Sequence, residues 1–111
     1  MFSDDRPIYR QIRDRIIDRI LTLGDGAILP SVRALAADAG VNPLTVAKAY
    51  QDLQTSDLVR ARKGVGLFAA DGAVNRLLTA ERENFLNEEW PRMRARITRL
   101  GLDAADLLAD A

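Results

Sequence analysis

The chain has 111 residues, the size of one domain or of a small domain with an appendage. Hydrophobic residues make up 48% and charged residues 29%, proportions that exclude a disordered tail, a collagen-like fibre and a membrane protein. Lys and Arg number 16, as do Asp and Glu, and the resulting net charge of zero argues, as a total, against a nucleic-acid binder.

The absence of Cys and His removes thiolate nucleophiles, disulfide frameworks, Cys/His zinc sites and the commonest general base. No metal and no cofactor is expected, and an enzyme is disfavoured further because no Gly-rich phosphate loop precedes a Lys-Ser/Thr pair. The chain opens Met1-Phe2-Ser3-Asp4-Asp5 with neither a basic nor an apolar leader region. No apolar run approaches the ~18 residues that span a bilayer, so a cytoplasmic location is expected.

In chain order, residues 1–6 read as a loose polar segment. Pro7 suits a first helical turn, and Tyr9, Ile12, Ile16 and Ile20, widened by Ile17 and Leu21, predict an amphipathic helix over 7–22. Gly24-Asp25-Gly26 ends it in a turn. Ser31 is a natural N-cap for a helix over 31–39 with a narrow face of Leu35, Ala36 and Ala39, stopped by Gly40. Asn42 caps a third helix over 43–55, with Pro43 at its first position and Val46, Ala49, Tyr50 and Leu53 as its buried face. Two short helices joined by Gly40-Val41-Asn42 form a helix-turn-helix signature.

Leu58-Val59-Arg60-Ala61-Arg62 then alternates as a strand, Lys63-Gly64-Val65-Gly66 turns, and Leu67-Phe68-Ala69 returns. The fold class expected is mainly α with a small β-hairpin (α+β): a winged helix-turn-helix over 1–70, followed by a helical tail over 71–111. In the tail, Val74, Leu77, Leu78, Phe85 and Leu86 form an apolar stripe. Pro91 interrupts the pattern, with Trp90 before it biased away from helical geometry. Either a kink or a new helix near 91, running to Leu100, is expected. Gly101 ends it, and Asp103 caps a last short helix carrying Leu107 and Leu108.

A helix-turn-helix places the N-terminal residues of its second helix at base edges in the major groove. Here these are Asn42, Pro43, Leu44, Thr45 and Lys48. Asn42 caps the helix or faces a phosphate, Thr45 can hydrogen-bond base or phosphate, Leu44 and Pro43 offer apolar contact, and Lys48 can reach the backbone. Ser31 opens a helix whose N–H groups form an anion site, and Arg33 stands in that first turn against the dipole, where a bound phosphate or guanine edge would explain it. The hairpin carries Arg60, Arg62 and Lys63 beside Gly64, where glycine lets the backbone approach a ligand.

The charges also sit unevenly. Residues 1–70 hold ten basic and eight acidic side chains, net +2, and residues 71–111 six and eight, net −2. None of the acids belongs to the DNA-facing set, and affinity depends on local phosphate contacts rather than total charge.

The ordered motifs Pro7-Ile8-Tyr9-Arg10-Gln11-Ile12, Leu29-Pro30-Ser31-Val32-Arg33-Ala34-Leu35-Ala36, Val41-Asn42-Pro43-Leu44-Thr45-Val46, Ala49-Tyr50 and Lys63-Gly64-Val65-Gly66 resemble the N-terminal domain of GntR-family bacterial transcription regulators. The Asn-Pro-x-Thr-Val wording and the short helical tail resemble the YtrA-like subfamily. The resemblance covers about residues 7–69 closely and the tail more loosely.

It implies a regulator that binds double-stranded operator DNA as a homodimer, most simply a repressor, with contacts on Arg33, Asn42, Leu44, Thr45 and Gly64. It also implies dimerisation through the tail. The chain departs from the family at Pro43, where many relatives carry Arg, at Leu44, where subfamily members often carry Asn, and at Asp57, where Gly is usual.

The DNA-binding set expected is thus Ser31, Arg33, Asn42, Leu44, Thr45, Lys48, Arg62, Lys63 and Gly64. About forty residues of helix do not easily make their own core, so Leu77, Leu78, Phe85, Leu86 and Trp90 are expected at a dimer seam rather than against their own domain. Glu88-Glu89 reads as a solvated pair, because adjacent helix positions do not face one another. A small-molecule effector, if one exists, would bind at the dimer interface or between domain and tail. The competing reading is a winged-helix protein-interaction module that does not read DNA, which the basic wing and Arg33 disfavour.

Overall fold

A computed structural model describes residues 7–109. The polar segment 1–6 lies outside the described residues. Helix α1 (Ile8–Leu23) follows Pro7, and its four-residue spacing buries Ile12, Ile16 and Ile20 on one side. It ends at Gly24, whose φ of 93° is left-handed backbone that glycine adopts without a Cβ clash.

Helix α2 (Val32–Ala39) starts as its sequence indicates, with the Ser31 hydroxyl accepting the Ala34 N–H at 3.1 Å. Gly40, at φ 68° and ψ 36°, turns the chain out of it. Helix α3 (Pro43–Thr55) begins with the Asn42 side-chain carbonyl accepting the Leu44 N–H at 2.8 Å. Its buried face is Val46, Ala49, Tyr50 and Leu53, as the periodicity requires.

The exit from α3 is a Schellman turn with an unusual occupant. The Leu58 N–H reaches the Leu53 carbonyl at 2.9 Å, and the Asp57 N–H reaches that of Gln54 at 3.1 Å. Asp57 takes the left-handed position at φ 60°, where glycine is the common residue. Arg76 holds this turn from outside, donating to the Asp57 carbonyl at 2.6 Å and to that of Asp71 at 2.7 Å.

Strands β1 (Val59–Arg62) and β2 (Gly66–Ala69) pair antiparallel, Val59 opposite Ala69 and Arg62 opposite Gly66. Residues 26–29 add a third, one-residue strand that the sequence did not announce. Ile28 bridges Phe68, the Leu29 N–H donates to the Leu67 carbonyl at 2.9 Å, and the Ala69 N–H to that of Ala27 at 2.8 Å. A single bridging residue has no alternation to detect, so only the folded chain shows it.

Helix α4 (Ala73–Asn84) is capped from far away in sequence. The Asp25 carboxylate accepts the Gly72 N–H at 2.8 Å and the Val74 N–H at 3.0 Å. These hydrogen bonds to the charged form hold its carboxyl below the ordinary value.

The described residues through Leu77 make one compact unit and those from Leu78 a second. The core lies wholly in the first: Ile12, Ile16 and Ile20 of α1 meet Leu35 and Ala36 of α2, the apolar face of α3, and Leu58, Val59, Ala69, Ala70 and Ala73. Val74 and Leu77 pack against its edge.

The second unit continues α4 into a π-helical segment (Phe85–Glu89), then α5 (Trp90–Arg99) and α6 (Ala104–Ala109). Pro91 does not force the expected departure at Trp90, which stays helical at φ −62° and ψ −45°. The Trp90 N–H bonds to the Phe85 carbonyl five residues back, so a widened turn precedes the proline and the helical path continues through it. The wide turn brings residues five apart together: Asn84 donates to Glu89 at 2.8 Å, and the Phe85 and Trp90 rings stack at 6.4 Å. Asp103 caps α6, accepting the Ala105 N–H at 2.8 Å.

Candidate nucleic-acid interface

One buried tyrosine adds a polar tie to the packing of α2 on α3. The Tyr50 hydroxyl, on the inner face of α3, donates to the Pro30 carbonyl at 2.6 Å. Pro30 directly precedes the Ser31 cap, so the start of α2 is tied to the middle of α3. Burial pushes the Tyr50 phenol up to about 12.

A second tyrosine joins α1 to α3. The Tyr9 hydroxyl donates to the Asp52 carboxylate, which raises its pKa, and Lys48 Nζ lies 4.5 Å from the Tyr9 ring centroid. The exposed Arg15–Asp38 pair, at 3.0 Å, adds a link from α1 to α2 worth about 0–1 kcal/mol.

These ties leave one end of α3 facing water. Asn42, Pro43 and Leu44 are exposed there and Thr45 is half-buried. Leu44 is 77% exposed. Ser31 and Arg33 are exposed at the start of α2. On the wing, Arg62, Lys63 and Gly64 are exposed, with Gly64 at φ 82° and the Val65 N–H closing the turn onto the Arg62 carbonyl at 3.0 Å. The Arg62 guanidinium lies 5.4 Å from the Phe68 ring centroid, which holds it over the strand face.

Three acids of this region are engaged elsewhere, Asp25 at the α4 cap, Asp38 with Arg15 and Asp52 with Tyr9. Asn42, Leu44, Arg62 and Lys63 themselves are neutral or basic.

The remaining sequence-derived positions fall in the tail. Leu77 is half-buried against the core of the first unit. Leu78 and Trp90 are half-buried, and Phe85 and Leu86 exposed. Leu78, Phe85 and Leu86 line a shallow apolar depression of about 420 Å³ together with Glu81, Arg82 and Glu89. Sequence reasoning missed the Tyr9–Asp52–Lys48 cluster. Its only trace was Lys48 and Asp52 four apart on α3, with no sign that Tyr9 would arrive between them.

Three helices, a helix-turn-helix formed by α2 and α3, and a three-part wing define a winged-helix protein. Residues 5–68 match the family described as bacterial regulatory proteins, gntR family, and the chain belongs to that family. It is 39% identical over 74 residues to the uncharacterised regulator YhcF of Bacillus subtilis, a match covering 65% of this chain and 61% of that protein. It is 35% identical to the transcriptional repressor YtrA of the same organism, with 65% and 57% covered. The chain thus spans about three-fifths of the length of these curated relatives. A GntR-family regulator from Listeria monocytogenes superposes with a TM-score of 0.76 at 27% identity, covering 97% of this chain and 95% of that one.

Proposed function

We propose that the chain is a cytoplasmic, sequence-specific DNA-binding transcription regulator and not an enzyme. It binds a palindromic operator as a homodimer and acts as a repressor by occluding a promoter. The observation that carries the reading is the capped, water-facing start of α3, with Leu44 77% exposed. In this reading Asn42, Leu44 and Thr45 enter the major groove, and Ser31 and Arg33 meet phosphate or a guanine edge at the start of α2. Lys48, Arg62, Lys63 and Gly64 grip the backbone. The segment after residue 70 pairs two copies through Leu78, Phe85, Leu86 and Trp90, with Leu77 at its edge, so half-sites lie about one helical turn apart. The repressor assignment is supported by the YtrA relative, whose description carries that word.

Fluorescence anisotropy of the full chain with labelled promoter fragments, across a salt series, tests this. The expected result is saturable binding that weakens as salt rises. No binding at low salt, or binding without a negative salt slope, overturns it and leaves the protein-interaction reading in its place.

A further inference from the structure

We infer that Leu44 reads the 5-methyl group of a thymine in the major groove, so each half-site carries a thymine at the base facing it. This rests on the DNA-binding reading above and adds the chemistry by which one base is chosen. Leu44 is the most exposed large apolar side chain among the described residues, at 77%. It sits at the second position of α3, with its own N–H committed to the Asn42 side chain at 2.8 Å. Pro43 beside it has no N–H to offer.

Along the same helix, Ala47 is exposed and apolar, while Lys48 lies over the Tyr9 ring at 4.5 Å. The Asn42 carbonyl oxygen already accepts the cap bond, which leaves that amide its two N–H donors and one further lone pair. At the Leu44 position itself the helix presents hydrocarbon and nothing else. Among the major-groove edges only thymine offers an apolar group, its C5 methyl. The guanine acceptors or the cytosine amino group placed there would lose water without gaining a partner, which selects against a G·C pair.

The test begins by selecting bound genomic fragments with the full chain, then titrating duplexes in which each thymine is replaced in turn by deoxyuridine. That replacement deletes the methyl and keeps every hydrogen-bonding group. One thymine per half-site is expected to show about four-fold weaker binding when replaced, the equivalent of one buried methyl. With Leu44→Ala the same replacement is expected to have no effect. Because Leu44 is exposed, thermal unfolding of that variant should match the parent, which confirms that the comparison is made between folded proteins.

Tight operator binding that is indifferent to deoxyuridine at every position overturns the inference and leaves the DNA reading standing. So does a deoxyuridine effect that persists undiminished in Leu44→Ala. Failure to recover any bound fragment overturns both.

Discussion

The two compact units dispose of their apolar side chains in opposite ways. Through Leu77, stripes on three helices converge with the hairpin, and Ile12, Ile20, Val46 and Leu53 are fully removed from water. From Leu78 onward no described residue is buried, and Leu86 stays 61% and Leu108 74% exposed. A helix buries a stripe only against another surface. The first unit contains those surfaces itself. The second has the stripe but buries no described residue of its own, which supports its proposed role in pairing two copies.

The largest effect expected from separating the two regions is on operator binding. A chain ending after Leu77 keeps Ala73, Val74 and Leu77 against the core, so it should fold, run as a monomer by light scattering and bind operator about 10²–10⁴-fold more weakly, because two linked half-site contacts become one. A truncated chain that remains dimeric would break the comparison by placing the seam in the first unit.

Paired substitutions sharpen it. Leu53→Ala, at a fully buried position, should lower unfolding free energy by about 2–5 kcal/mol in urea titrations. Leu86→Ala should leave monomer stability within about 0.5 kcal/mol while shifting the monomer–dimer equilibrium toward monomer in sedimentation.

At the interface, Arg33→Ala should weaken operator binding by about 1–3 kcal/mol if Arg33 contacts guanine, with the thermal midpoint unchanged. Unchanged affinity would remove Arg33 from the site.

A smaller gain is expected at the turn after α3. Asp57→Gly keeps the φ of 60° and relieves the left-handed backbone, adding about 0.5–1 kcal/mol of stability by urea titration. A loss would mean that the aspartate side chain contributes more than its backbone geometry costs.

The pH effect is read by absorbance. Both tyrosines lie in the first unit, Tyr50 raised to about 12 by burial and Tyr9 raised by its bond to Asp52. Tyr50 should therefore stay neutral at pH 10 in the folded chain, where an unfolded tyrosine is about half ionised. Folding favours the neutral phenol, so this contribution is complete below pH 10 and is lost as pH rises toward 12. A native Tyr50 that titrates near 10 would contradict its burial.

Much of the fold was legible because its signals are local. Ser31, Asn42 and Pro43 announce helix starts through groups within three residues, and Gly24 and Gly40 announce stops. The Arg33, Leu44 and wing positions of the candidate site were legible for the same reason, through their places relative to those caps. Three features were not. Ile28 joins the wing through one residue, Asp25 caps a helix 47 residues away, and Pro91 is carried by a π turn whose only outward sign is the proline itself.

The zero net charge with which the sequence opens had the same limitation, since it sums a basic half and an acidic half. Taken alone, the sequence determined the helix order, the caps, the hairpin and the family, all of which depend on neighbours along the chain or on ordered motifs. Tertiary structure decided which groups are left over. It committed Asp52 to Tyr9, Asp38 to Arg15 and Asp25 to α4, and it left Leu44 in water. Whether a side chain is available to a partner depends on what else in the folded chain reaches it first, and those partners lie 23 to 49 residues away in sequence for the three carboxylates.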